Sequence, residues 1–333
     1  MINAYAALAA ATPLKPFEYS PSELKDDEVE ISIECCGLCH SDLHVIDDDW
    51  KISKYPLVPG HEIIGKITQK GNKVQDLELG QRVGIGWQCG ACLTCEFCIK
   101  GDETVCNKKV RTCVDRYGGF ADKILVDSHF VYPIPESLSS EAAAPLLCAG
   151  ITAYSPFKLY DVQAPQSVAI VGIGGLGHLA LQFARAFGCD VTALSSSPEK
   201  EQEARKFGAH HFISLNNPAE IRKAFNSFDF VLSTVSADID ATMLGMLLRP
   251  QGKLCFVGLP PSDIKFPVRL LVSGNRSICG SGTGSRTNML EMLQFCARHN
   301  IAAQVEVMPM TQLNEAIERL KANKARYRIV LTN

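Results

Sequence analysis

The stretch "AIVGIGGLGHLALQFARAFG", Ala169 to Gly188, decides the fold of the second half of the chain. A short apolar run comes first, glycines spaced G-x-G-x-x-G follow, and an apolar segment of helical length ends the stretch. A strand–turn–helix unit of this kind directs the free N–H groups of a helix N-terminus at a phosphate. The first glycine permits a tight turn, the second admits a pyrophosphate, and the third lets helix and strand pack closely. The stretch therefore predicts a dinucleotide site rather than an ordinary glycine turn.

The same pattern assigns individual residues to the cofactor. The expected contacts are Gly172, Gly174, Gly175, Leu176 and Gly177 in the loop, and Val257 after a later strand. An NAD site usually has an acidic residue at the end of its second strand, which holds a ribose hydroxyl. This chain has Ser195, Ser196 and Ser197 there, followed by Lys200. Ser197 is expected to cap the next helix, and the hydroxyls of Ser195 and Ser196 with Lys200 suit a 2′-phosphate. The sequence therefore favours NADP over NAD.

Strands and helices alternate from about residue 167 onward, whereas the first 145 residues contain apolar stretches bounded by turn residues. Alternation with buried strands predicts an α/β domain with a doubly wound parallel sheet over residues 146–299. Residues 1–145 predict a β-rich domain. A helix within residues 310–323 and a last strand within 326–332 have no partner in the nucleotide half. Residues 300–333 are therefore expected to return to the β-rich domain.

Composition excludes several classes of function. The 333 residues are 46% hydrophobic and 21% charged, with a formal net charge of −3, which is typical of a globular protein. Lysine and arginine are scattered, so nucleic acid and an anionic membrane are not expected partners. The first residues are apolar but lack a basic start and are soon interrupted by Pro13 and Pro16, so we expect a cytoplasmic protein.

Fourteen cysteines are a high count for a chain with no expected export, which favours metal binding over disulfides. Four of them lie in one short segment with the spacing C-x2-C-x2-C-x7-C: Cys92, Cys95, Cys98 and Cys106. Four thiolates can enclose a tetrahedral ion completely, which is typical of a structural zinc site. Cys89 continues the spacing on the N-terminal side, so a shifted ligand set remains open. We predict a structural zinc lobe over residues of about 89–106.

A second, dispersed set of metal-ligand residues has a different character. "CGLCHSDLH" contains Cys39, "PGHEIIG" contains His61, and "PLLCAGITAY" contains Cys148. Two thiolates and one imidazole leave a fourth zinc position for water or substrate, as catalytic zinc sites do. Each residue alone could be an ordinary core residue, but the set together predicts a second, catalytic zinc ion.

These stretches, with "YPLVPGHEIIG", "GGFAD" and "GIGGLGHLA", stand in an order that resembles the zinc-dependent medium-chain alcohol dehydrogenases. Within them the chain is similar to the cinnamyl-alcohol-dehydrogenase branch and its bacterial NADPH-dependent aldehyde reductases. The resemblance covers essentially the whole chain. It implies a GroES-like catalytic domain beside a Rossmann domain, an active site in the cleft between them, and a homodimer joined by edge strands of the nucleotide domains, with a tetramer left open.

The resemblance also implies roles for the metal ligands. It makes Cys39, His61 and Cys148 the ligands of the catalytic zinc. Glu62 would be a close or alternative ligand that enters when water leaves, and whether it binds zinc in the resting state is left open.

Further roles follow from the same resemblance. Ser41 would hydrogen-bond the alcohol, and His44 would pass its proton towards solvent. Thr152 would lie against the nicotinamide. Arg328 would reach the pyrophosphate, the alternative being a surface strand residue. Trp50 would line the substrate pocket or merely cover a loop.

The sequence thus predicts an enzyme with two zinc ions per subunit that interconverts an aromatic or medium-chain aliphatic aldehyde and its alcohol, mainly as an NADPH-linked reductase. A polyol or NAD-linked alcohol dehydrogenase is the alternative enzyme. A zinc protein with a decayed active site is the alternative of another class, and a nucleic-acid-binding module built on four zinc-bound cysteines is disfavoured by the missing basic patch. The physiological substrate and direction are left open.

Overall fold

The computed structural model describes residues 1–333. They form two compact units: Met1–Ile151 with Thr283–Asn333, and Thr152–Gly282. The chain re-enters the first unit at Thr283, earlier than the predicted residue 300, because a long helix that the sequence analysis had placed in the nucleotide domain belongs to the first unit.

Seventeen strands are present. In chain order they are β1 Ile2–Ala6, β2 Lys15–Tyr19, β3 Glu28–Leu38, β4 Glu62–Lys70, β5 Arg82–Ile85, β6 Gln88–Gly90, β7 Val110–Arg111, β8 Lys123–Asp127, β9 Tyr132–Pro133, β10 Ser167–Val171, β11 Asp190–Ser195, β12 His211–Ser214, β13 Phe228–Ser233, β14 Leu248–Phe256, β15 Ser277–Gly280, β16 Val305–Pro309 and β17 Arg328–Thr332.

Eleven α-helices accompany the strands. In chain order they are α1 His40–Asp47, α2 Glu96–Ile99, α3 Ser140–Ala143, α4 Ala149–Leu159, α5 Gly177–Ala186, α6 Glu201–Lys206, α7 Pro218–Lys223, α8 Ala241–Leu247, α9 Val268–Val272, α10 Arg286–His299 and α11 Leu313–Lys321. Short 3-10 helices cover Glu103–Val105, Ser128–Phe130, Ala144–Leu147, Pro198–Lys200 and Met310–Gln312. None of the helices combines the length and the apolar character that crossing a membrane requires.

The second unit contains a parallel sheet with the order β12-β11-β10-β13-β14-β15. Numbered within the unit this order is 3-2-1-4-5-6, that of a doubly wound dinucleotide-binding sheet. The strand β10 lies at its centre and is almost wholly buried, as a strand covered on both faces must be. The predicted α/β class and doubly wound sheet are confirmed.

The turn between β10 and α5 requires its glycines for separate reasons. Gly172 has a φ of +86°, a left-handed conformation that side chains disfavour. A Cβ atom at Gly177 would collide with the carbonyl oxygen of Gly172, so this glycine allows the helix to approach the strand. A Cβ atom at Gly174 would meet nothing within 4 Å. The loop is therefore tight on the protein side and open where a phosphate would approach.

The first unit is β-rich, as predicted. Its seven-stranded sheet has the order β16-β17-β3-β4-β5-β9, and β8 also pairs with β3. The last strand, β17, pairs antiparallel with β3 and parallel with β16. The strand β17 and the helix α11 are present as predicted, whereas β16 was not predicted because its partner lies more than twenty residues further along the chain.

The helix α1 positions several site residues. Cys39 is its N-cap, and the backbone N–H of Cys39 donates to the Asp42 carboxylate at 2.9 Å, so the first turn is closed by an acidic residue. Val45 and Ile46 are buried on its inner face, and the helix packs against α11. This arrangement fixes the direction in which Cys39, Ser41 and His44 leave the helix.

Candidate active site

A cluster of four buried side chains lies in the first unit. The ligand atoms of Cys39, His61, Glu62 and Cys148 all lie within 4.8 Å of one another. Cys39 caps α1, His61 and Glu62 stand at the start of β4, and Cys148 follows the 3-10 helix Ala144–Leu147. The sulfur atoms of Cys39 and Cys148 are 4.0 Å apart. The fold therefore brings together the dispersed set that the sequence predicted, including Glu62.

The unpaired atoms of this cluster show that a zinc ion fits it. His61 Nε2 and Glu62 Oε2 are buried and have no hydrogen-bond partner. Buried polar atoms without partners are costly, so such a pair points to a missing positively charged ligand. Two thiols, one imidazole and a carboxylate are donors that zinc prefers, and three of them leave a fourth position open.

The two cysteines of the cluster have unequal pKa values. The hydrogen bond with Cys148 holds the pKa of the Cys39 thiol well below its usual value, and the same bond raises the pKa of Cys148. Burial alone would lower the pKa of His61, but Asp42 together with Cys148 and Cys113 more than offsets this, and the pKa lies well above its usual value. A metal ion at Nε2 displaces the proton that this raised pKa would otherwise keep there.

Asp42 orients the imidazole of His61, a role that the sequence analysis missed. Its carboxylate is fully buried, with Oδ1 2.9 Å from His61 Nδ1 and 2.9 Å from the Gly60 amide, while Oδ2 accepts from the Cys39 amide. A carboxylate can only accept, so Nδ1 carries the proton and Nε2 presents its lone pair to a metal. The only signal in the sequence was an acidic residue three positions after Cys39.

We expect Asp42→Asn to weaken metal binding without unfolding the chain. The amide keeps the shape of the carboxylate but replaces one acceptor oxygen with a donor that faces N–H groups. Loss of such an orienting partner typically costs about 10- to 100-fold in metal affinity or activity. Zinc retention against a chelator and kcat/KM measure the effect, and Asp76→Asn at an exposed position is the matched control. Unchanged zinc retention in Asp42→Asn would contradict the assigned role.

The two residues predicted to transfer a proton lie on α1, the helix that Cys39 caps. Ser41 and His44 lie one helical turn apart on α1, and both are half-buried. His44 Nδ1 donates to Asp49 Oδ2 at 2.7 Å, and the Asp49 side chain is 54% exposed. His44 thus has a hydrogen-bond partner in Asp49, which sequence reasoning did not find because Asp49 lies beyond the helix. Proton transfer through Ser41 and His44 stays a prediction.

Two tryptophans lie beside the cluster. The indole of Trp50 stacks on His44 with ring centroids 4.9 Å apart, and Trp87 stands edge-on to His61, also at 4.9 Å. The two indoles are 6.0 Å apart. Trp50 thus lies against His44, and its place in the substrate pocket stays a prediction. Trp87 was missed, since no spacing rule distinguishes a single tryptophan between two strands.

Arg328 is part of the same site. Its side chain is 3% exposed and forms an ion pair with Glu62, so the alternative of a surface strand residue is wrong. Burial raises the pKa of Glu62 to about 7, although Arg328 acts in the opposite direction. The pairing joins residues at opposite ends of the sequence through β3 and its neighbours. A pyrophosphate contact of Arg328 stays a prediction.

The second metal-ligand cluster lies in the segment between β6 and β7. The sulfur of Cys92 is 3.9 Å from that of Cys98 and 3.6 Å from that of Cys106, and Cys95 is 3.5 Å from Cys98. Backbone N–H groups of Thr94 and Cys95 lower the pKa of Cys92 to about 5. Four protein thiols surround one point, which fits a closed structural zinc site.

Cys89 stands outside this cluster. It is buried, and its thiol donates to the backbone carbonyl of Val110 at 3.7 Å. The structure therefore selects the spacing C-x2-C-x2-C-x7-C over the shifted ligand set that the sequence left open.

The predicted cofactor residues of the second unit lie at the carboxyl edge of its sheet. Gly175 and Leu176 lead from the loop into α5, and Thr234, which sequence reasoning missed, holds the turn by donating to Gly172 O at 2.9 Å. Val257 follows β14 and donates to Ser233 O at 3.0 Å. Thr152, by contrast, lies within α4 and is half-buried.

The serines after β11 are arranged differently from the prediction. Ser197 makes no side-chain cap; instead Ser195 Oγ, at a buried position, accepts from the Ser197 amide at 3.1 Å. The reason is that a 3-10 turn starts at Pro198, directly after Ser197, and the Ser197 amide faces Ser195 at the end of β11. Ser196 is exposed, and Lys200 Nζ donates to Ile173 O at 2.9 Å, which brings this cation to the glycine loop.

Comparisons with known proteins agree with this geometry. Residues 25–136 match the family described as "Alcohol dehydrogenase GroES-like domain", and residues 175–298 match "Zinc-binding dehydrogenase". The aldehyde reductase AdhA of Synechocystis is 44% identical over 336 residues, with 100% of this chain and 99% of the relative covered. A mannitol dehydrogenase of Petroselinum crispum is 42% identical, with 96% of this chain and 97% of the relative covered.

A solved structure is similar over nearly the whole chain. The CAD from Helicobacter pylori, in complex with NADP(H), superposes with a TM-score of 0.92 at 32% identity, covering 99% of this chain and 97% of that one. The resemblance stated from the motifs is confirmed.

Proposed function

The chain belongs to the zinc-binding alcohol dehydrogenase family, and from that premise we propose that it reduces aldehydes to primary alcohols with NADPH. The observation that carries the proposal is the buried cluster of Cys39, His61, Glu62 and Cys148, in which the Nε2 atom of His61 has no protein partner. Cys39, His61 and Cys148 would hold the zinc ion, and Glu62 would be the close or alternative ligand.

In the proposed reaction, zinc and NADPH supply part of the chemistry, and side chains of the protein supply the rest. Zinc supplies Lewis-acid polarisation of a carbonyl oxygen. NADPH supplies the hydride. Ser41 hydrogen-bonds the substrate oxygen, and His44 delivers the proton that the product alcohol requires. The hydrogen bond to Asp49 fixes the Nδ1 proton of His44 and leaves Nε2 to exchange the transferred proton.

The aromatic side chains favour an apolar substrate. Trp50 and Trp87 place two indole rings next to His44 and His61, where they exclude water and can stack on an aromatic aldehyde. An aromatic or medium-chain aliphatic aldehyde suits such walls. A polyol suits them less, because its hydroxyl groups would lose water without gaining partners. Because one similar protein is a mannitol dehydrogenase, oxidation of a polyol is the second candidate function.

Side-by-side measurement of kcat/KM tests the proposal. Cinnamaldehyde with NADPH is expected to be the productive pair, and mannitol with NAD or NADP the poor one. A higher kcat/KM for mannitol oxidation than for cinnamaldehyde reduction would support the polyol alternative. Protein that contains zinc but turns over neither substrate would support a decayed site.

The proposed preference for NADPH rests on the residues that follow β11 in the second unit. No acidic residue lies between Val191 and Pro198, so β11 ends without the carboxylate that holds the ribose in an NAD site and would repel a 2′-phosphate. Ser196 is exposed there, and Lys200 reaches the glycine loop. The related CAD structure contains NADP(H).

We expect Ser196→Asp to lower kcat/KM for NADPH about 100-fold and to leave that for NADH within a few-fold. The added carboxylate repels the 2′-phosphate, a loss of about 3 kcal/mol at this factor. Ser227→Asp is the control. It adds the same charge at an exposed position just before β13, at the amino ends of the strands and away from the cofactor residues. An unchanged NADPH preference in Ser196→Asp, or a wild-type preference for NADH, would contradict the 2′-phosphate assignment.

Assembly as a homodimer is part of the proposal. Several apolar side chains of the second unit near the edge strand β15 are exposed: Leu259, Ile264, Val268, Val272 and Ile278. Apolar patches of this kind commonly mark an interface. Light scattering is expected to give twice the monomer mass of 36.3 kDa. A monomer would contradict the dimer, and a fourfold mass would indicate a tetramer.

A further inference from the structure

Two cysteines that the proposed function does not use face each other in the second unit. Cys255 on β14 and Cys279 on β15 are direct partners in the parallel register. Neighbouring strands lie about 4.8 Å apart. That spacing falls within the range of about 4.4–6.8 Å over which the Cα atoms of two cysteines can be bridged. The register therefore places the Cα atoms of the two cysteines within the range that a disulfide spans.

The two thiols have unequal surroundings. Cys255 is fully buried, whereas Cys279 is partly exposed and its thiol lies 3.5 Å from Leu254 O. The neighbouring Cys255 thiol lowers the pKa of Cys279 to about 7, and Cys279 in turn raises the pKa of Cys255. The hydroxyl of Tyr160, which follows α4, donates to the backbone carbonyl of Gly280 at 2.5 Å, directly after Cys279. One sulfur is thus a nucleophile, and its neighbour is positioned to resolve it.

We propose that Cys255 and Cys279 form a modification site at which a hydroperoxide produces a reversible intrachain disulfide. The thiolate of Cys279 attacks the O–O bond, which breaks to give a Cys279 sulfenic acid and water or an alcohol. The sulfur of Cys255 then attacks the Cys279 sulfur; the S–S bond forms, the S–O bond breaks, and hydroxide leaves with the thiol proton as water. Two thiols supply the two electrons that the hydroperoxide accepts.

Other cysteines of the chain lack this combination. Burial raises the pKa of Cys189 to about 11 and raises that of Cys296 as well. Neither has a cysteine opposite it in a strand pair. The ligand cysteines of the two zinc clusters are expected to be covered by metal. The pair on β14 and β15 is therefore the site expected to react first with a mild two-electron oxidant.

Limited treatment of zinc-loaded protein with equimolar hydrogen peroxide, followed by alkylation and peptide mass spectrometry, tests the proposal. The expected product is a linked pair of peptides that contain Cys255 and Cys279, restored to free thiols by dithiothreitol, with zinc content unchanged. Loss of the Cys279 thiol is expected to be roughly tenfold faster than loss of the Cys189 thiol, because more of it is thiolate.

Variants separate the two roles. Cys255→Ser should stop at a Cys279 sulfenic acid that dimedone traps, and Cys279→Ser should leave Cys255 unmodified. Cys189→Ser is the matched control and should still form the linked pair. Thermal unfolding of each variant checks that the fold is intact. Oxidation of zinc ligands before this pair, or a Cys279–Cys279 link between two copies on a non-reducing gel, would overturn the proposal.

Discussion

Cys148→Ala is expected to lower kcat/KM for aldehyde reduction by about 1000-fold or more and to remove one of two zinc ions. The substitution deletes one of three predicted ligands of the catalytic zinc, and a Lewis-acid metal contributes several kcal/mol to stabilising the transition state. Cys148 lies in the buried cluster 4.0 Å from Cys39, so no solvent-exposed group can replace it. Zinc content by elemental analysis, together with initial rates, measures the effect.

The matched control is Cys36→Ala. Cys36 is as deeply buried and lies on β3, but its thiol donates to the backbone carbonyl of Gly37 at 3.6 Å and belongs to neither metal-ligand cluster. This variant should keep both zinc ions and most of its activity, with only the modest loss of stability that removing a buried sulfur causes. Full activity in Cys148→Ala would show that the cluster is not the reactive centre.

Cys98→Ser is expected to lose the other zinc ion and to destabilise the lobe between β6 and β7. Structural zinc contributes about 10–16 kcal/mol of apparent binding free energy in small zinc-finger peptides, and part of that becomes folding free energy of a larger chain. A fall in the free energy of unfolding of about 3 kcal/mol or more is therefore expected. Because the lobe has little other core, with Ile99 and Val105 exposed, proteolysis there should accelerate.

Cys89→Ser is the control within the same segment. Its thiol contacts the carbonyl of Val110 and not the other sulfurs, so the variant should retain both zinc ions. Loss of metal from Cys89→Ser, with retention in Cys106→Ser, would restore the shifted ligand set, since Cys98 belongs to both sets. Thermal unfolding with and without a chelator distinguishes loss of metal from a simple packing defect.

Features set by local sequence were predictable. The glycine loop and the four thiols of the lobe each depend on residues within one short segment, where spacing alone fixes the geometry. Residues 167–188 therefore predicted the central strand, the turn and the helix. The dispersed zinc set was also found, but only because each ligand stands in a distinctive local context.

Features that depend on long-range contacts were not predictable. Asp42 accepts from Gly60 and His61, and Glu62 pairs with Arg328, through contacts that only the folded sheet creates. Trp87 likewise gains its place beside His61 from the pairing of strands. Ser197 was predicted as a cap from its residue type, but the Pro198 turn directs its amide to Ser195 instead. In each case the sequence shows the donor and acceptor groups but not their partners.

The most direct test of the account measures the rate of NADPH oxidation with cinnamaldehyde in three samples of the same protein. These are the zinc-loaded protein, the protein after removal of metal with a chelator, and the stripped protein after zinc is restored. The account predicts that activity is lost with the metal and returns with zinc while the fold at the cofactor unit persists. Undiminished NADPH-dependent reduction by protein shown to contain no metal would contradict it.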